Sequence, residues 1–275
     1  HPCIVLIMGL GGQMILWPEA FCQSLIEQGY YVVRFDNRDI GLSSKLPPSG
    51  LQKKKLLLMM ARFSIGLTNQ GAPYTLEDMA DDVALMLEQL NIKKCHVIGA
   101  SMGGMIAQIF TAKYPDTVEK LGLLFTSNNQ PFLPPPGLKQ LKMLLVERPA
   151  QKEEDMIKHN IQLYRLIGSP RYTRFEDVKQ VAQRAYNRSY SPMGVLQQFL
   201  AILCTGSIQH WDKQIHHPTL VVHGACDKLL PPKHGRAVSR AIQGSKFELI
   251  AEMGHDIPPH FIPQLSGLFA QHFKS

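Results

Sequence analysis

Short apolar runs rich in β-branched residues alternate along this chain with longer segments of helical period. The apolar runs are Cys3 to Met8, Tyr31 to Phe35, Cys95 to Ile98, Leu121 to Phe125, Thr219 to Val222 and Phe247 to Ile250. The helical segments are Pro18 to Gln28, Leu76 to Leu90, Met102 to Lys113, Pro232 to Ile242 and Pro258 to Phe273. Near-continuous hydrophobicity indicates strands covered on both faces, and strands that alternate with helices pair in parallel. The sequence therefore predicts an α/β fold with a doubly wound, mostly parallel sheet.

This alternation stops between residues 128 and 217. A proline-rich stretch, Pro131 to Pro136, marks the departure from the sheet. Three later segments, residues 156–166, 175–186 and 193–203, carry apolar residues three and four apart, as an amphipathic helix does. We therefore predict a core of residues 1–127 and 218–275, with a helical cap of residues 128–217 inserted over the carboxyl edge of the sheet.

Composition limits the class of protein. With 275 residues, of which 45% are hydrophobic, the chain can bury a large core. Five cysteines form no Cys-x-x-Cys pair, which argues against a disulfide framework or a zinc ribbon and favours a reducing compartment, the cytoplasm. No apolar run approaches the roughly 20 residues that span a bilayer. The chain opens on His1 and enters a predicted strand at once, so we expect further sequence upstream of His1. An export signal in that upstream sequence is the open alternative to a cytoplasmic location.

The formal charge is +7, but the basic residues are scattered except at Lys53-Lys54-Lys55. This pattern gives no support for a nucleic-acid partner. The stretch Lys53 to Arg62 mixes basic and apolar residues, which is compatible with attachment to a lipid surface. A packed connecting helix is the interpretation we prefer. We expect no stable insertion into a membrane. The sequence leaves open whether the chain forms a homodimer.

Ser101 lies between glycines at the end of a predicted strand. Gly99 and Gly103 leave room for the chain to turn sharply from strand to helix, so that the serine side chain is exposed at the turn. The unpaired N–H groups of the helix start would favour developing negative charge there. The segment therefore predicts a nucleophile elbow with Ser101 as the nucleophile.

A serine hydroxyl needs a base, and the base needs an orienting carboxylate. Asp227 follows the strand that ends at His223-Gly224, and His255 lies in the loop after the last strand. The order serine, aspartate, histidine is the order of a triad on an α/β-hydrolase sheet. We predict Asp227 as the orienting acid and His255 as the base. Asp256, next to His255, is a rival for the acid.

Two backbone N–H donors would complete an oxyanion hole. We predict the amide of Met102, which follows the nucleophile, and that of Leu10 in the glycine-rich loop after the first strand, with Gly11 as the alternative to Leu10. The same loop lacks the Gly-x-Gly-x-x-Gly and Lys-Ser/Thr patterns of nucleotide sites. No nucleotide cofactor is therefore expected.

Other polar residues are interpreted as structural. His210, His216 and His217 have no cysteine or carboxylate at ligand spacing, so no metal site is predicted. His223, inside an apolar run, is expected to be buried. In the turn from Asp36 to Ser43, we expect the arginine at position 38 to pair with its acidic neighbours.

Together these motifs resemble the α/β-hydrolase superfamily along essentially the whole chain. The matching segments are Met8 to Gln13, Asp36 to Ser43, Gly99 to Gly103, His223 to Asp227 and Gly254-His255. Asp36 to Ser43, with Trp17-Pro18 upstream, is similar to the subgroup of aclacinomycin methylesterase-like carboxylesterases. The resemblance implies a mainly parallel sheet, a helical cap, no cofactor and a strand hairpin upstream of His1.

Two positions depart from this pattern. Met8-Gly9 stands where many members have His-Gly, and Asp39 replaces a glycine that is common after the arginine. Neither change removes a catalytic group. Ser101 also separates the chain from haloalkane dehalogenases and epoxide hydrolases, which resemble it in fold but have aspartate at the elbow.

The features together predict a serine hydrolase that cleaves a carboxylic ester of a small or medium, largely apolar small-molecule substrate through an acyl-enzyme on Ser101. The stretch Leu56 to Phe63 and the cap are rich in leucine and methionine, which fits an apolar pocket as well as core packing.

Other functions stay open. A proline iminopeptidase-like aminopeptidase needs carboxylates for the substrate amine, and the acidic residues at 153–155 and 176–177 are interpreted as solvated helix faces. A carbon–carbon bond hydrolase and a perhydrolase share the same triad. A ligand receptor on a hydrolase fold is the alternative that is not an enzyme.

Overall fold

The computed structural model describes residues 1–47, 53–144 and 152–275. These residues form one sheet of six strands, β1 (Cys3–Ile7), β2 (Tyr31–Arg34), β3 (Cys95–Ala100), β4 (Val118–Leu124), β5 (Thr219–Gly224) and β6 (Lys246–Ile250). The strand order is β2-β1-β3-β4-β5-β6, and every neighbouring pair is parallel. Each strand coincides with one of the predicted apolar runs. The prediction of a doubly wound parallel sheet is confirmed.

Eleven α-helices occur within the described ranges. They are α1 (Glu19–Glu27), α2 (Lys53–Ser64), α3 (Leu76–Gln89), α4 (Met102–Lys113), α5 (Leu138–Leu144), α6 (Glu153–Ile167), α7 (Phe175–Arg188), α8 (Pro192–Thr205), α9 (Gln209–Asp212), α10 (Lys233–Ala241) and α11 (Ile262–Lys274). The short helices α5 and α9 were not predicted, because they are too short to show a periodic pattern. No helix of the described part combines the length and hydropathy needed to cross a bilayer.

Alternate residues of each strand face opposite sides of the sheet. Val5 and Val97 pack on one side with α3 and α4, whereas Ile4 and Ile98 pack on the other side with α1 and α11. All four side chains are fully buried. Burying a side chain of this size contributes about 1.5–3 kcal/mol. The two hydrophobic cores fix the strands, and with them the position of each strand end.

Helices α5 to α9 lie between β4 and β5 in the chain and reach the loops at the carboxyl edge of the sheet. In α7, Nη1 of Arg188 is 2.7 Å from Oδ2 of Asp36. In α8, Nε2 of Gln197 donates to Oδ2 of Asp39 at 2.7 Å. Both aspartates follow β2, so this helical segment is anchored on the β2 loop. The division of the chain into a core and a cap domain stays a prediction.

Candidate active site

Ser101 occupies the single residue between β3 and α4. Its backbone has φ 54° and ψ −121°, a conformation that costs a residue with a side chain about 1–3 kcal/mol. A Cβ at Gly103 would collide with the backbone oxygen of Ile7, and a Cβ at Gly99 would collide with that of Gly103. Only glycine fits at these two positions, so the sequence forces the sharp turn that exposes Ser101.

Asp227 and His255 come together at the ends of β5 and β6. Nδ1 of His255 lies 2.7 Å from Oδ2 of Asp227. The other oxygen, Oδ1, accepts the backbone N–H groups of Leu229 and Leu230, each at 2.9 Å. An ionised carboxylate only accepts, so Nδ1 of His255 carries the proton and donates it. In the neutral form of the ring, Nε2 then carries the lone pair that a general base requires.

Electrostatics keep Asp227 ionised. Burial raises the pKa of this carboxyl, but the rings of His255 and His223 and their hydrogen bonds outweigh the burial. The net effect holds the pKa of Asp227 well below its usual range. The carboxylate therefore remains negative at neutral pH and favours the imidazolium that forms when His255 accepts a proton.

Contacts on both sides fix the ring and backbone of His255. Its ring lies against Phe125, with 4.5 Å between ring centroids. Its backbone N–H donates to the carbonyl of Ile167, the last residue of α6, at 2.7 Å. The position of His255 therefore depends on the helical segment as well as on the sheet.

Ser101 and His255 line the same cavity. The hydrogen bonds between described residues do not include one from the Ser101 hydroxyl to the His255 ring. Bonds of this kind are often long without substrate and tighten when substrate binds. The structure thus brings the three predicted triad residues to one edge of the sheet and joins two of them directly.

The backbone amides near Ser101 suit an oxyanion. The Gly11 N–H already donates to Oε1 of Gln198 at 2.8 Å. The amides of Leu10 and Met102 donate to no group in the hydrogen bonds between described residues. Of the two candidates for the second donor, Leu10 is therefore the one whose amide has no partner in these bonds, and the oxyanion hole stays a prediction.

The cavity at the carboxyl edge has a volume of about 1520 Å³. Its lining is mostly apolar and includes residues of α2, such as Leu56, Met60 and Phe63, and many residues of α6, α7 and α8. Binding sites for small molecules usually measure about 300–1,000 Å³. The site can therefore hold a substrate larger than the small or medium one predicted.

One expectation from the sequence is wrong. Arg38 does not pair with its acidic neighbours in the turn but with Asp82 of α3, at 2.6 Å. The neighbours are already satisfied, because Asp36 binds Arg188 and Asp39 binds Gln197 and a backbone amide. Arg188 and Gln197 both belong to the helical segment, and the local sequence pattern of the turn does not reveal that this segment binds its carboxylates.

Asp256 is not a partner of the His255 ring. Its carboxylate instead accepts the Ser169 hydroxyl at 2.6 Å and the Thr173 hydroxyl at 2.5 Å, both from the loop between α6 and α7. Burial raises the pKa of Asp256. This excludes the rival acid on geometric grounds and makes Asp256 a link between the His255 loop and the helical segment.

His223 is fully buried, as predicted. Its Nε2 donates to the carbonyl of Leu230 at 2.8 Å and lies 3.4 Å from Oδ2 of Asp227. It therefore helps to hold the loop that carries the acid. Among the described residues, no group of three or more histidine, cysteine or acidic side chains could hold a metal ion.

His234 is a cavity residue that the sequence patterns did not predict. His234 lines the cavity from α10 and bonds through Nδ1 to the Ser127 hydroxyl at 2.8 Å and through Nε2 to the carbonyl of Pro134 at 2.9 Å. Burial lowers its pKa. Since α10 follows β5, its first turn lies at the carboxyl edge. Applying the strand-end rule to helix starts would have found this residue.

Comparisons with known proteins show which proteins this chain is similar to. Rhodomycin D methylesterases of Streptomyces peucetius and of Streptomyces sp. strain C5 are 22% and 23% identical to the chain, in alignments that cover 99% of it and 91% of each relative. An esterase of Exiguobacterium antarcticum superposes with a TM-score of 0.74 at 20% identity, over 100% of this chain and 92% of that one.

The two sequence relatives support the predicted methylesterase-like subgroup and the predicted class of carboxylic ester hydrolases, whereas the structural likeness shows the fold. The family model described as alpha/beta hydrolase fold matches residues 2–259. That range includes all six strands, Ser101, Asp227 and His255. The chain therefore belongs to the α/β-hydrolase fold family.

Proposed function

We propose that this protein hydrolyses carboxylic esters through an acyl-enzyme on Ser101. The observation that carries the proposal is the 2.7 Å bond from Nδ1 of His255 to Asp227, which leaves Nε2 unprotonated beside the cavity that Ser101 lines. Nε2 takes the hydroxyl proton as Oγ attacks the ester carbonyl. Asp227 orients the ring and stabilises its positive charge.

The amides of Leu10 and Met102 are the proposed donors to the tetrahedral oxyanion. When the intermediate collapses, the bond to the leaving alcohol breaks and the alcohol takes the proton from His255. Water then attacks the acyl group, and His255 accepts its proton and returns it to Oγ of Ser101. Products are a carboxylic acid and an alcohol, and no cofactor is required for these steps.

The substrate we propose is a bulky, largely apolar ester. Both the volume of about 1520 Å³ and the leucine, methionine and proline side chains of the wall support this. Rhodomycin D is the substrate named for the Streptomyces methylesterases, and we do not extend it to this chain. The methylesterase activity of these relatives does fit a small alcohol as the leaving group. The helical segment, as a cap, would set which acyl group fits.

Kinetics with nitrophenyl esters of increasing acyl length test the proposal. We expect turnover of the wild type and its loss in Ser101→Ala, with circular dichroism unchanged. Apolar acyl chains of medium to long length should give higher kcat/KM than acetate because they fill the cavity. Undiminished turnover by the alanine variant would overturn the proposal.

An aminopeptidase remains the second candidate, because two acidic residues of the helical segment, Asp155 and Asp177, line the cavity. Asp177 already lies 3.4 Å from Arg174, which weakens its use for a substrate amine. Comparing an amino-acid nitroanilide with a nitrophenyl ester separates the two. Faster turnover of the anilide would favour the peptidase.

A further inference from the structure

Helix α2 has two apolar faces, and only one of them is packed. Leu56, Met59 and Phe63 belong to a small hydrophobic cluster with Leu200 and Leu203 of α8. The preferred interpretation of this segment as a packed connecting helix is therefore right for one face.

The other face of α2 is open to solvent. Four large apolar residues lie on it or directly after it: Leu57 (64% exposed), Leu58 (61%), Ile65 (54%) and Leu67 (46%). Together with Phe132 (83%), from the segment between β4 and α5, they form what we call the α2 patch. The backbone N–H of Phe132 donates to the carbonyl of Ser64 at 3.3 Å, which places Phe132 at the carboxyl end of α2. Large apolar residues that are exposed together around one helix, rather than singly, mark an interaction site.

The charge around the patch is positive. The α2 sequence, KKKLLLMMARFS, holds four basic residues and no acidic one. Lys55 and Arg62 are exposed. The salt bridges between described residues use neither of them. A basic rim beside exposed leucine, isoleucine and phenylalanine is the pattern of a helix that lies at the surface of an anionic membrane.

The patch also adjoins the cavity. Met60 and Phe63 of α2 line the cavity, and so do Leu133 and Pro134, which follow Phe132. The same two chain segments therefore present one side to solvent and the other side to the space that Ser101 lines. A partner that binds the α2 patch would therefore lie next to the wall of the cavity.

We propose that the α2 patch docks this protein on the surface of anionic phospholipid membranes. The apolar side chains enter the boundary between headgroups and acyl chains, while Lys55 and Arg62 contact lipid phosphates. The helix lies in the plane of the membrane and does not cross it. Binding itself is independent of the proposed function. Delivery of a lipid-borne ester to Ser101 would rest on that function.

Co-sedimentation with vesicles tests the docking. We expect the wild type to bind vesicles of phosphatidylcholine with phosphatidylglycerol, to bind pure phosphatidylcholine weakly, and to lose affinity as salt rises. The double variant Leu57→Asp, Leu58→Asp should bind the anionic vesicles at least about tenfold more weakly. Equal binding by wild type and double variant, or no binding by the wild type, would overturn the proposal.

Leu90→Asp is the matched control. Leu90 is 52% exposed, at the end of α3 just before β3, and so lies at the opposite edge of the sheet from the cavity. The Leu90→Asp variant should bind the anionic vesicles as strongly as the wild type does. Both variants should hydrolyse a soluble nitrophenyl ester at the wild-type rate, which shows that they fold. Ser101→Ala should still bind vesicles, so failure of the proposed chemistry and failure of docking are distinguishable.

A second copy of the chain is the other occupant to test. Sedimentation velocity without lipid should give the same mass for the wild type and the double variant. A wild-type dimer that the double variant converts to a monomer would assign the patch to a homodimer interface and overturn membrane docking.

Discussion

The proposed nucleophile and the proposed base of the site are held by different parts of the molecule. Ser101 is fixed by the sheet: its N–H donates to the carbonyl of Leu124 at 3.0 Å, and its carbonyl accepts the Thr126 hydroxyl at 2.6 Å. The loop that carries His255 instead binds the end of α6, through the carbonyl of Ile167.

The residues beside His255 extend this link. The Gly254 N–H donates to the Ser169 hydroxyl at 2.9 Å, and that hydroxyl donates to Asp256 at 2.6 Å. The sheet therefore positions the proposed nucleophile, whereas the helical segment orients the loop of the proposed base. Changes in that segment, far from the substrate, should therefore alter catalysis.

Asp227→Asn should have the largest effect. The amide cannot stabilise the imidazolium and would favour the wrong ring tautomer, so kcat should fall by about four orders of magnitude. Nitrophenyl ester kinetics measure this. A fall of less than about tenfold would remove Asp227 from the site.

Ser169→Ala should lower kcat by about ten- to a hundredfold with a smaller change in KM, because the His255 loop loses its buried link and the ring shifts. The buried Gly254 N–H would also lose its acceptor. Kinetics at saturating and limiting ester separate kcat from KM. Unchanged kcat would show that the sheet alone positions the base.

Asp212→Asn probes the junction between the helical segment and the sheet through pH. Burial raises the pKa of Asp212 in α9 from 3.8 to about 7, and Oδ2 accepts the amide of Asn128 at 2.9 Å. Between about pH 4 and 7 the unfolded carboxyl ionises while the folded one keeps its proton, so wild-type stability falls as pH rises.

An asparagine does not titrate and can still accept from Asn128. Urea unfolding should therefore show the variant gaining stability relative to the wild type from about pH 4 to 7, by about 1–4 kcal/mol in total, with no further change above pH 8. Parallel stability curves for the two proteins would contradict the account.

Arg171→Ala should have the smallest effect. Arg171 and Glu252 form a solvent-exposed pair at 2.9 Å that also joins the helical segment to the His255 loop. Exposed pairs contribute little. Ester turnover should stay within about twofold of the wild type, which makes this variant the matched control for Ser169→Ala. A loss of turnover as large as that of Ser169→Ala would show that the exposed Arg171–Glu252 pair contributes as much to the position of the His255 loop as the buried contacts of Ser169.

Sequence patterns predicted the part of the site that the sheet holds. Apolar runs placed the six strands, and strand ends of a parallel sheet meet at one edge, so Ser101, Asp227 and His255 could be brought together by order alone. The glycines around Ser101 reveal the turn because no side chain fits there.

The part held by the helical segment could not be predicted. Contacts from Ser169 to Asp256 and from Arg188 to Asp36 join residues that are more than 80 positions apart. Their formation depends on how amphipathic helices dock, which periodicity does not encode. Arg38 was assigned to its sequence neighbours for the same reason.

Peptide mapping after reaction with a fluorophosphonate tests the central claim most directly. We predict one covalent adduct, on Ser101, that appears together with loss of ester turnover and is absent from Ser101→Ala. Labelling of another residue, or full turnover by a protein whose Ser101 is fully modified, would contradict it.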